Sequence, residues 1–410
     1  MEISCSKLIF IVHYYLYNSK ERMNLMHVNR IFIPLFLAIF VAMLGIGIIA
    51  PIMPLYVESL GANGFELGLI YAAFSISRAV FMPIMGKLSD QKGRKRFILI
   101  GLAIYASVSL GYIGAGSVMT MTWIRLLHGM GSAMVIPIAT AVIGDISPKG
   151  REGRMMGNFQ VALFLGFGAG PLLGGLIQDL FEISQVFYFM GSLSFIALIM
   201  VAIWVPETES HLKHQKEKTP QSISVFRHPK FRGLLAFRFS NAVGRASVIA
   251  FLPVFASHLN LPASKIGILI SINILLTSLL QYIFGKVADR FDRRILIIAG
   301  NIIGAVPLLL TPFAQSFSHL ALLGCLMGLG GGLAFPAAGA VATELGRGYG
   351  MGHVMGNFNM AMSIGSIVGA MSAGQVMDLF GMSYVFIFGG IVTLVGSAAC
   401  LVWLYQRNYV

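Results

Sequence analysis

The sequence predicts an all-α polytopic membrane protein in which twelve transmembrane helices form two six-helix bundles. Three observations lead to this prediction: a composition poor in charge, twelve apolar segments of spanning length and an internal repeat. The chain of 410 residues is 57% hydrophobic and only 11% charged, with a mean hydropathy of +0.81. Because soluble domains carry about a quarter charged residues, this chain lacks the polar surface that water requires, and a bilayer must cover it.

Each apolar segment is long enough to cross ~30 Å of hydrocarbon at ~1.5 Å per helical residue. The first six spans are predicted at residues 31–56, 67–85, 97–117, 120–144, 156–177 and 186–205. The second six are predicted at residues 231–256, 266–284, 295–315, 319–343, 355–377 and 383–404. The domains that follow are an N-terminal bundle at 31–205, a cytoplasmic linker at 206–230, a C-terminal bundle at 231–404 and a cytoplasmic tail at 405–410.

Residues 1–30 form an N-terminal cytoplasmic segment whose apolar stretch is too short to span. Leu8–Tyr17 has about half the length that a spanning helix needs, and no small-residue cleavage site follows it. A signal peptide and an interfacial helix both stay open here. We favour a third interpretation, in which translation starts at Met23 or Met26.

The two predicted bundles are copies of one unit, because identical residues recur at an offset of 199 positions through both halves. The repeated pairs are Pro54 and Pro253, Gly68 and Gly267, Gly101 and Gly300, Gly129 and Gly328, Pro137 and Pro336, Gly157–Phe159 and Gly356–Phe358, and Asp179 and Asp378. Two parallel six-helix halves related by an axis along the membrane normal are the expected geometry.

The net charge of +13 comes from a bias in the loops. Of the 29 Lys and Arg residues, only Lys265 falls in a loop on one side of the membrane; four lie inside spans, and the rest fall on the side of both termini. The positive-inside rule therefore places both termini and the linker in the cytoplasm. A nucleic-acid partner is not expected, because the basic clusters alternate with apolar runs and form no basic face.

No motif predicts an enzyme, a cofactor or a metal site. The three cysteines, Cys5, Cys325 and Cys400, match no metal-ligand or disulfide spacing. A Walker A loop, a His-Glu-x-x-His motif and a Gly-x-Ser-x-Gly elbow are also lacking in the sequence. Any energy-driven work must then draw on an ion gradient, and a proton gradient is the expected source.

A polar stretch at Gly86–Arg96 interrupts the apolar runs and is predicted to form a hairpin loop in water. Gly86 and Gly93 would allow a tight turn there. A near copy at Gly285–Arg294 repeats the glycine, Lys, Asp and Arg positions but has Asp292 where Gly93 predicts a glycine.

These motifs resemble those of the major facilitator superfamily over essentially the whole chain from about residue 30. The segments that carry the resemblance are Gly86–Arg96 between helices two and three, Arg125–Gly129 in helix four, Gly166–Gly175 in helix five and Pro51–Tyr56 at the end of helix one. The last two resemble the drug:proton antiporter branch. The fold implied is the major facilitator fold.

The resemblance implies that the polar stretch acts as a cytoplasmic gate between the two halves. Its implied partners are Asp145 and the N-terminus of helix eleven near Gly352–Gly356, where a carboxylate gains ~0.3–1 kcal/mol. The gate candidates are Gly86, Asp90, Gly93, Arg94, Asp145, Gly285, Asp289 and Arg293. The alternative is a basic anchor and hairpin without gating.

The glycine-rich motif of helix five consists of Gly166, Gly170, Pro171, Gly174 and Gly175. Small residues let helices approach closely in lipid, and Pro171 removes a backbone donor. The resemblance implies that this motif seals exporters against leak, and plain close packing is the alternative.

Ionisable residues inside a membrane are costly and so mark candidate solute or coupling sites. The candidates are Arg125, His128, Arg78, Arg245, Asn241, Asn273 and Gln281. Arg125 and His128 share a helix face as a proton-coupling pair or as a packed, hydrogen-bonded histidine beside an arginine. Arg78 and Arg238 lie near enough to the inner surface to snorkel. Asn273, Thr277 and Gln281 form a second polar stripe.

Acidic residues are missing from the middle of every predicted span. Glu58, Glu66, Asp145 and Glu344 all lie at span ends. Four intraspan arginines without an acid disfavour a cationic solute and favour an anionic or neutral one. Glu58 and Asp145 join His128 as candidates for proton coupling.

We therefore predict a secondary transporter that moves a small solute by alternating access and acts as a monomer in the prokaryotic plasma membrane. A proton-coupled exporter of drug-like compounds is the first choice. A proton-linked transporter of an organic anion or sugar is the alternative, and a transporter-derived sensor is a remote one because the linker is too short for a signalling domain.

Overall fold

A computed structural model describes residues 31–147, 152–207, 224–288 and 290–405 of the chain. In these ranges the only regular elements are helices, and twelve of them are long and apolar enough to cross a membrane. The predicted all-α fold with twelve spans is thereby confirmed. Residues 1–30, most of the linker and the last five residues lie outside the described ranges, so the predictions for them stay predictions.

We number the twelve spans α1 to α12. The N-terminal half contains α1 (Ile31–Ser59), α2 (Gly64–Lys92), α3 (Arg94–Ile113), α4 (Val118–Ile146), α5 (Glu152–Leu180) and α6 (Ile183–Trp204). The C-terminal half contains α7 (Pro229–His258), α8 (Ala263–Ala288), α9 (Arg293–Leu310), α10 (Phe317–Tyr349), α11 (Met351–Phe380) and α12 (Met382–Tyr405). Residues 49–51 break α1, a 3₁₀ turn at Thr311–Phe313 extends α9, and a short helix at Ser224–Arg227 precedes α7.

The two halves meet along two helix pairs, α2 with α11 and α5 with α8. One apolar core crosses between the halves and joins residues such as Met53 and Leu67 to Phe251 and Phe386. Two further cores each lie within one half, around Tyr105 in the first and Phe237 in the second. The shared core lies at the end of the molecule that carries the connections 60–63, 114–117, 181–182, 259–262, 314–316 and 381, which we call the closed end.

At the opposite end, which we call the open end, glycines on four helices have open space beside them. A Cβ atom built on Gly86, Gly157, Gly285 or Gly356 meets nothing within 4 Å. These glycines are two pairs of repeat-related positions on α2, α5, α8 and α11, the same four helices that touch at the closed end. Close packing between the halves is therefore seen at the closed end, while these four glycine positions lie beside open space.

Local sequence signals explain several helix ends. Asn63 and Glu66 form a reciprocal capping box at the start of α2, with bonds of 2.8 and 2.9 Å. Ser117 and Ser316 cap α4 and α10 through one bond each, because their hydroxyl oxygens accept from the N–H groups of Thr120 and His319.

The structure corrects the predicted hairpin loop at Gly86–Arg96. α2 continues as helix to Lys92, and Gly93 alone separates it from α3. Gly86 lies inside α2, so its predicted role in a tight turn is wrong in this structure, and the equivalent Gly285 lies inside α8. The predicted span ends at Met85 because hydropathy falls where the charged residues begin. The helix itself continues into water, because its polar residues propagate a helix and the basic Lys92 lies in its last turn.

The contrast between the two ends gives a stability test. A Cβ at Gly267 on α8 would overlap the Pro171 backbone of the other half, whereas a Cβ at Gly285 on the same helix enters open space. We expect Gly267→Ala to cost about 1–3 kcal/mol of stability through overpacking. Gly285→Ala should be neutral or stabilising, because alanine propagates a helix better than glycine. Thermal unfolding of the purified variants measures both, and equal midpoints would contradict the close contact.

Candidate functional site

At the closed end, two aspartates each bind the start of a helix from the other half. Asp378 at the end of α11 accepts hydrogen bonds from the backbone N–H groups of Gly64 (2.6 Å) and Phe65 (2.8 Å) on α2. Asp179 at the end of α5 accepts from Ala263 (2.9 Å) and Ser264 (3.1 Å) on α8. A helix start has unpaired N–H groups and partial positive charge, so a carboxylate stabilises it. We call these two contacts the aspartate clamps.

Glycines make the aspartate clamps possible, because the helix backbones around them nearly touch. On the α2–α11 side, a side chain at Gly64, Gly68 or Gly374 would overlap the opposing backbone. On the α5–α8 side the same holds for Gly175 and Gly267. Close backbone approach of this kind is typical of helix contacts in membranes.

The sequence contained the aspartate clamps but did not reveal their role. Asp179 and Asp378 were recognised as a repeated pair, and so were Gly68 and Gly267. One sequence signal could have revealed this role: both aspartates lie in the last turn of equivalent helices. A carboxylate there interacts unfavourably with the dipole of its own helix and therefore needs a partner elsewhere.

The helix-five motif has two faces that touch different helices. Gly166, Gly170 and Gly174 face α1, where side chains would overlap the backbone at residues 40, 47 and 48. Gly175 and Pro171 face α8, with the Leu172 N–H donating to the Ser271 hydroxyl at 3.0 Å. The motif thus packs against α1 of its own half and against α8 of the other half, and a role in sealing against leak stays a prediction.

At the open end, Arg94 joins the ends of α2 and α4. Its guanidinium lies 3.1 Å from an Asp90 oxygen and 2.8 Å from an Asp145 oxygen. The Arg94 side chain is only 3% exposed, so this is a largely buried charge. Three of the predicted gate residues are therefore brought together within one half. The predicted contact with the N-terminus of α11 stays a prediction.

Glu207 is a member of this cluster that the sequence did not reveal. Its carboxylate accepts a 3.0 Å bond from the Lys95 N–H and lies where a Cβ on Gly93 would be. Gly93 also has φ of +96°, a value that favours glycine. Because Glu207 falls in the predicted linker, its distance from the motif in sequence hid the contact.

The second half repeats this arrangement in a more exposed form. Arg293 lies 3.2 Å from Glu344, and these residues stand 199 positions after Arg94 and Asp145. Arg293 is 32% exposed and Glu344 is 62% exposed.

Asp292, in place of the glycine, caps α9 through the Arg294 N–H at 2.9 Å. Partial burial acts to raise the pKa of the Asp292 carboxyl, but hydrogen bonds and charge from Arg294 outweigh it and lower that pKa. Asp289 lies outside the described residues.

Arg125 and His128 lie in an aromatic cluster inside the N-terminal half. The Arg125 guanidinium is 4.9 Å from the Tyr71 ring centre and 5.7 Å from that of Phe74. His128 is fully buried, and its Nδ1 lies 2.9 Å from the Tyr112 hydroxyl. Its Nε2 has no hydrogen-bond partner among the described residues. This geometry supports a packed, hydrogen-bonded histidine, and a proton-coupling role stays a prediction.

Arg245, Asn241 and Asn273 line a cavity in the C-terminal half. Helices α7, α8, α9, α10 and α12 form its walls, which are mainly apolar. The Asn241 amide donates to Asn301 at 3.1 Å, and the Asn273 amide donates to the Gly324 carbonyl at 3.1 Å. Phe335 also lines the cavity, with its ring centre 5.7 Å from the Arg245 guanidinium.

The candidate solute and coupling residues therefore do not form one central site in this conformation. Arg125 and His128 pack inside the first half, and the cavity belongs to the second. Arg78 and Gln281 are half-buried and do not line the cavity. Arg238, which was expected to snorkel, lies over the rings of Phe358 and Phe335, at 4.8 and 5.4 Å from their centres.

Comparison with known proteins identifies relatives that match most of the chain. A family model described as Major Facilitator Superfamily matches residues 35–238 and 234–409. An uncharacterised MFS-type transporter of Methanocaldococcus jannaschii is 32% identical over 87% of this chain and 93% of its own length. Multidrug resistance protein 2 of Bacillus subtilis is 29% identical over 93% of this chain and 96% of its own. Quinolone resistance protein NorA of Staphylococcus aureus is 27% identical, with 86% and 91% covered.

Solved structures share the fold at low sequence identity. A bacterial homologue of the human lysosomal transporter Spinster, in an inward-facing and unoccupied conformation, aligns with a TM-score of 0.77 at 14% identity over 92% of this chain and 96% of that one. The nucleoside transporter NupG aligns with a TM-score of 0.78 at 15% identity, with 92% and 100% covered.

The two arginine contacts at the open end predict unequal effects of their removal. Asp145→Asn leaves the buried Arg94 with a weaker partner and should cost about 1–3 kcal/mol, less than a fully buried pair because Asp145 is partly exposed. The matched variant Glu344→Gln should cost about 0–1 kcal/mol, as exposed pairs do. Thermal unfolding in detergent compares them, and an equal loss in both variants would contradict the difference in burial.

Proposed function

Because the chain belongs to the major facilitator superfamily, we propose that this integral multi-pass membrane transporter is a proton-coupled exporter of drug-like organic solutes. Its family and relatives are transporters of small molecules, not enzymes. Relatives named for multidrug and quinolone resistance support export as the direction. The helix-five motif Gly166–Gly175 supports it as well, because it packs tightly across the sealed end.

One observation carries the proposal: the same four helices pack closely at one end of the molecule and have open space beside them at the other. The aspartate clamps hold α2 to α11 and α5 to α8 at the closed end, while repeat-related glycines at the open end face open space. Alternating access requires a second state in which the aspartate clamps break and the open end closes. The Arg94 cluster with Asp90 and Asp145 is then in place to latch that second state.

We place the open end in the cytoplasm, because the basic loops and both termini belong to that side. The membrane is then the prokaryotic plasma membrane, and the conformation is inward-facing. One chain supplies both halves of the interface, so a monomer suffices for transport, and no nucleic-acid partner is involved.

A proton gradient is the proposed energy source, with Glu58, Asp145 and His128 as candidate carriers of the proton. Glu58 is well placed, since its carboxylate lies 3.1 Å from the His258 imidazole of the other half, at the closed end. Asp145 takes part in the contact with Arg94. A proton at either carboxylate would change a contact that differs between the two states.

The alternative function is proton-linked transport of an organic anion or a sugar. The four arginines inside the predicted spans, and the absence of acidic residues from the middle of those spans, favour an anion over a sugar. A sensor remains the remote alternative.

Transport by purified protein in inside-out proteoliposomes tests the proposal. We expect an imposed proton gradient, acidic inside, to drive uptake of amphipathic compounds, and a protonophore to abolish it. His128→Gln should lose this dependence if His128 carries the proton. A variant that still follows the gradient would remove His128 from the mechanism. Folded wild-type protein that moves no compound of a panel of lipophilic cations, neutral compounds and organic acids would contradict the function itself.

A further inference from the structure

We propose that the cavity in the C-terminal half is a binding site for amphipathic organic monoanions, with Arg245 holding the anionic group. This inference rests on the proposed transport function and names the chemical class of the solute. Arg245 then determines the selectivity of the site for anions over cations.

The charge balance of the cavity is the first argument. Among the described residues that line the cavity, Arg245 is the only ionisable side chain, and none is a carboxylate. Within the described ranges, Arg245 has no acidic partner, and its guanidinium lies 5.7 Å from the Phe335 ring centre. An arginine this deep in a membrane protein is costly unless it is paired. A bound anion would supply the missing charge.

The shape and chemistry of the remaining wall indicate the rest of the solute. Leu252, Ile270, Leu308 and Leu323 give an apolar surface, and Phe335 adds a flat ring. Such a wall with few convergent polar groups is typical of sites for small organic molecules. The solute therefore has an apolar, preferably aromatic, body beside its charge.

Two amides fix the polar end of the cavity. Asn241 and Asn273 each donate one hydrogen bond to the protein, to Asn301 and to the Gly324 carbonyl. These bonds orient both amides and leave their oxygens as acceptors. A solute that carries an N–H or O–H donor near its anionic group fits this arrangement. A single cation in the wall fits one negative charge, and the planar guanidinium binds a carboxylate or sulfonate through two parallel bonds.

The other arginines inside the spans do not offer the same site. Arg238 lies over the rings of Phe335 and Phe358 and is not part of the cavity wall. Arg125 lies over Tyr71 and Phe74 in the other half. Arg245 alone combines exposure to this cavity with the lack of a carboxylate partner in the described part of the chain.

Three probes with one ring system test the inference on the purified full-length protein. They are 1-naphthoate, the neutral 1-naphthamide and the cation 1-naphthylmethylammonium, and isothermal titration measures their affinities. We expect naphthoate to bind best and the cation worst. Arg245→Gln should weaken naphthoate about tenfold or more, as loss of a charge-assisted pair does, while changing naphthamide about twofold or less. Arg245→Glu should reverse the order of anion and cation.

Arg238→Gln is the matched control, because Arg238 lies on the same helix and contacts the same Phe335 ring. It should leave the naphthoate affinity within about twofold, and Arg245→Lys should recover part of it because the charge is restored. Unfolding midpoints confirm that each variant is folded.

Preferred binding of the cation by the wild type would overturn the inference, as would unchanged naphthoate affinity in Arg245→Gln, equal losses in Arg238→Gln, or binding of no probe. In each case gradient-driven transport in proteoliposomes could still succeed, which would leave the proposed function standing. Selective naphthoate binding without any transport would instead contradict the function and keep the site.

Discussion

The structure depends on a contact between a carboxylate and a helix start that occurs twice. Each aspartate clamp places Asp179 or Asp378 on two unpaired N–H groups of the opposite half. One such contact is worth ~0.3–1 kcal/mol, and up to ~2 kcal/mol where partly buried. Two of them stabilise the contact at the closed end by a few kcal/mol, which favours one conformational state about a hundredfold. Binding of a solute or a proton can reverse a free-energy difference of this size.

In the described part of the chain, aromatic rings rather than carboxylates contact three of the four arginines within the spans. Arg125 and Arg238 each lie over two rings, at centre distances from 4.8 to 5.7 Å. A desolvated cation–π contact gives up to ~2 kcal/mol, so two rings offset most of the ~2.5–3.5 kcal/mol cost of a mid-membrane arginine. Arg245 has one ring and lines a cavity, so its balance is incomplete without a ligand.

The sequence sufficed for the fold class, the twelve spans and the two-fold repeat, because hydropathy and an offset of 199 are local or periodic signals. It also identified Arg94 and Asp145, which the structure brings within 2.8 Å. It missed Glu207, the aspartate clamps and the continuation of α2 through the polar motif. The first two involve contacts between residues far apart in the chain, and no sequence spacing encodes such a pairing. The continuation of α2 was missed because hydropathy marks the membrane boundary, whereas a helix can extend beyond that boundary into water.

The most direct test of the aspartate clamps is a pair of distances between nitroxide labels, measured at both ends of a variant lacking Cys5, Cys325 and Cys400. Labels at exposed Ser59 and Asn260 report the closed end, and labels at exposed Lys87 and Lys286 report the open end. If the aspartate clamps hold the halves together, replacing both Asp179 and Asp378 by asparagine should lengthen the closed-end distance and shorten the open-end distance. An unchanged closed-end distance, or movement of both distances in the same direction, would contradict the account.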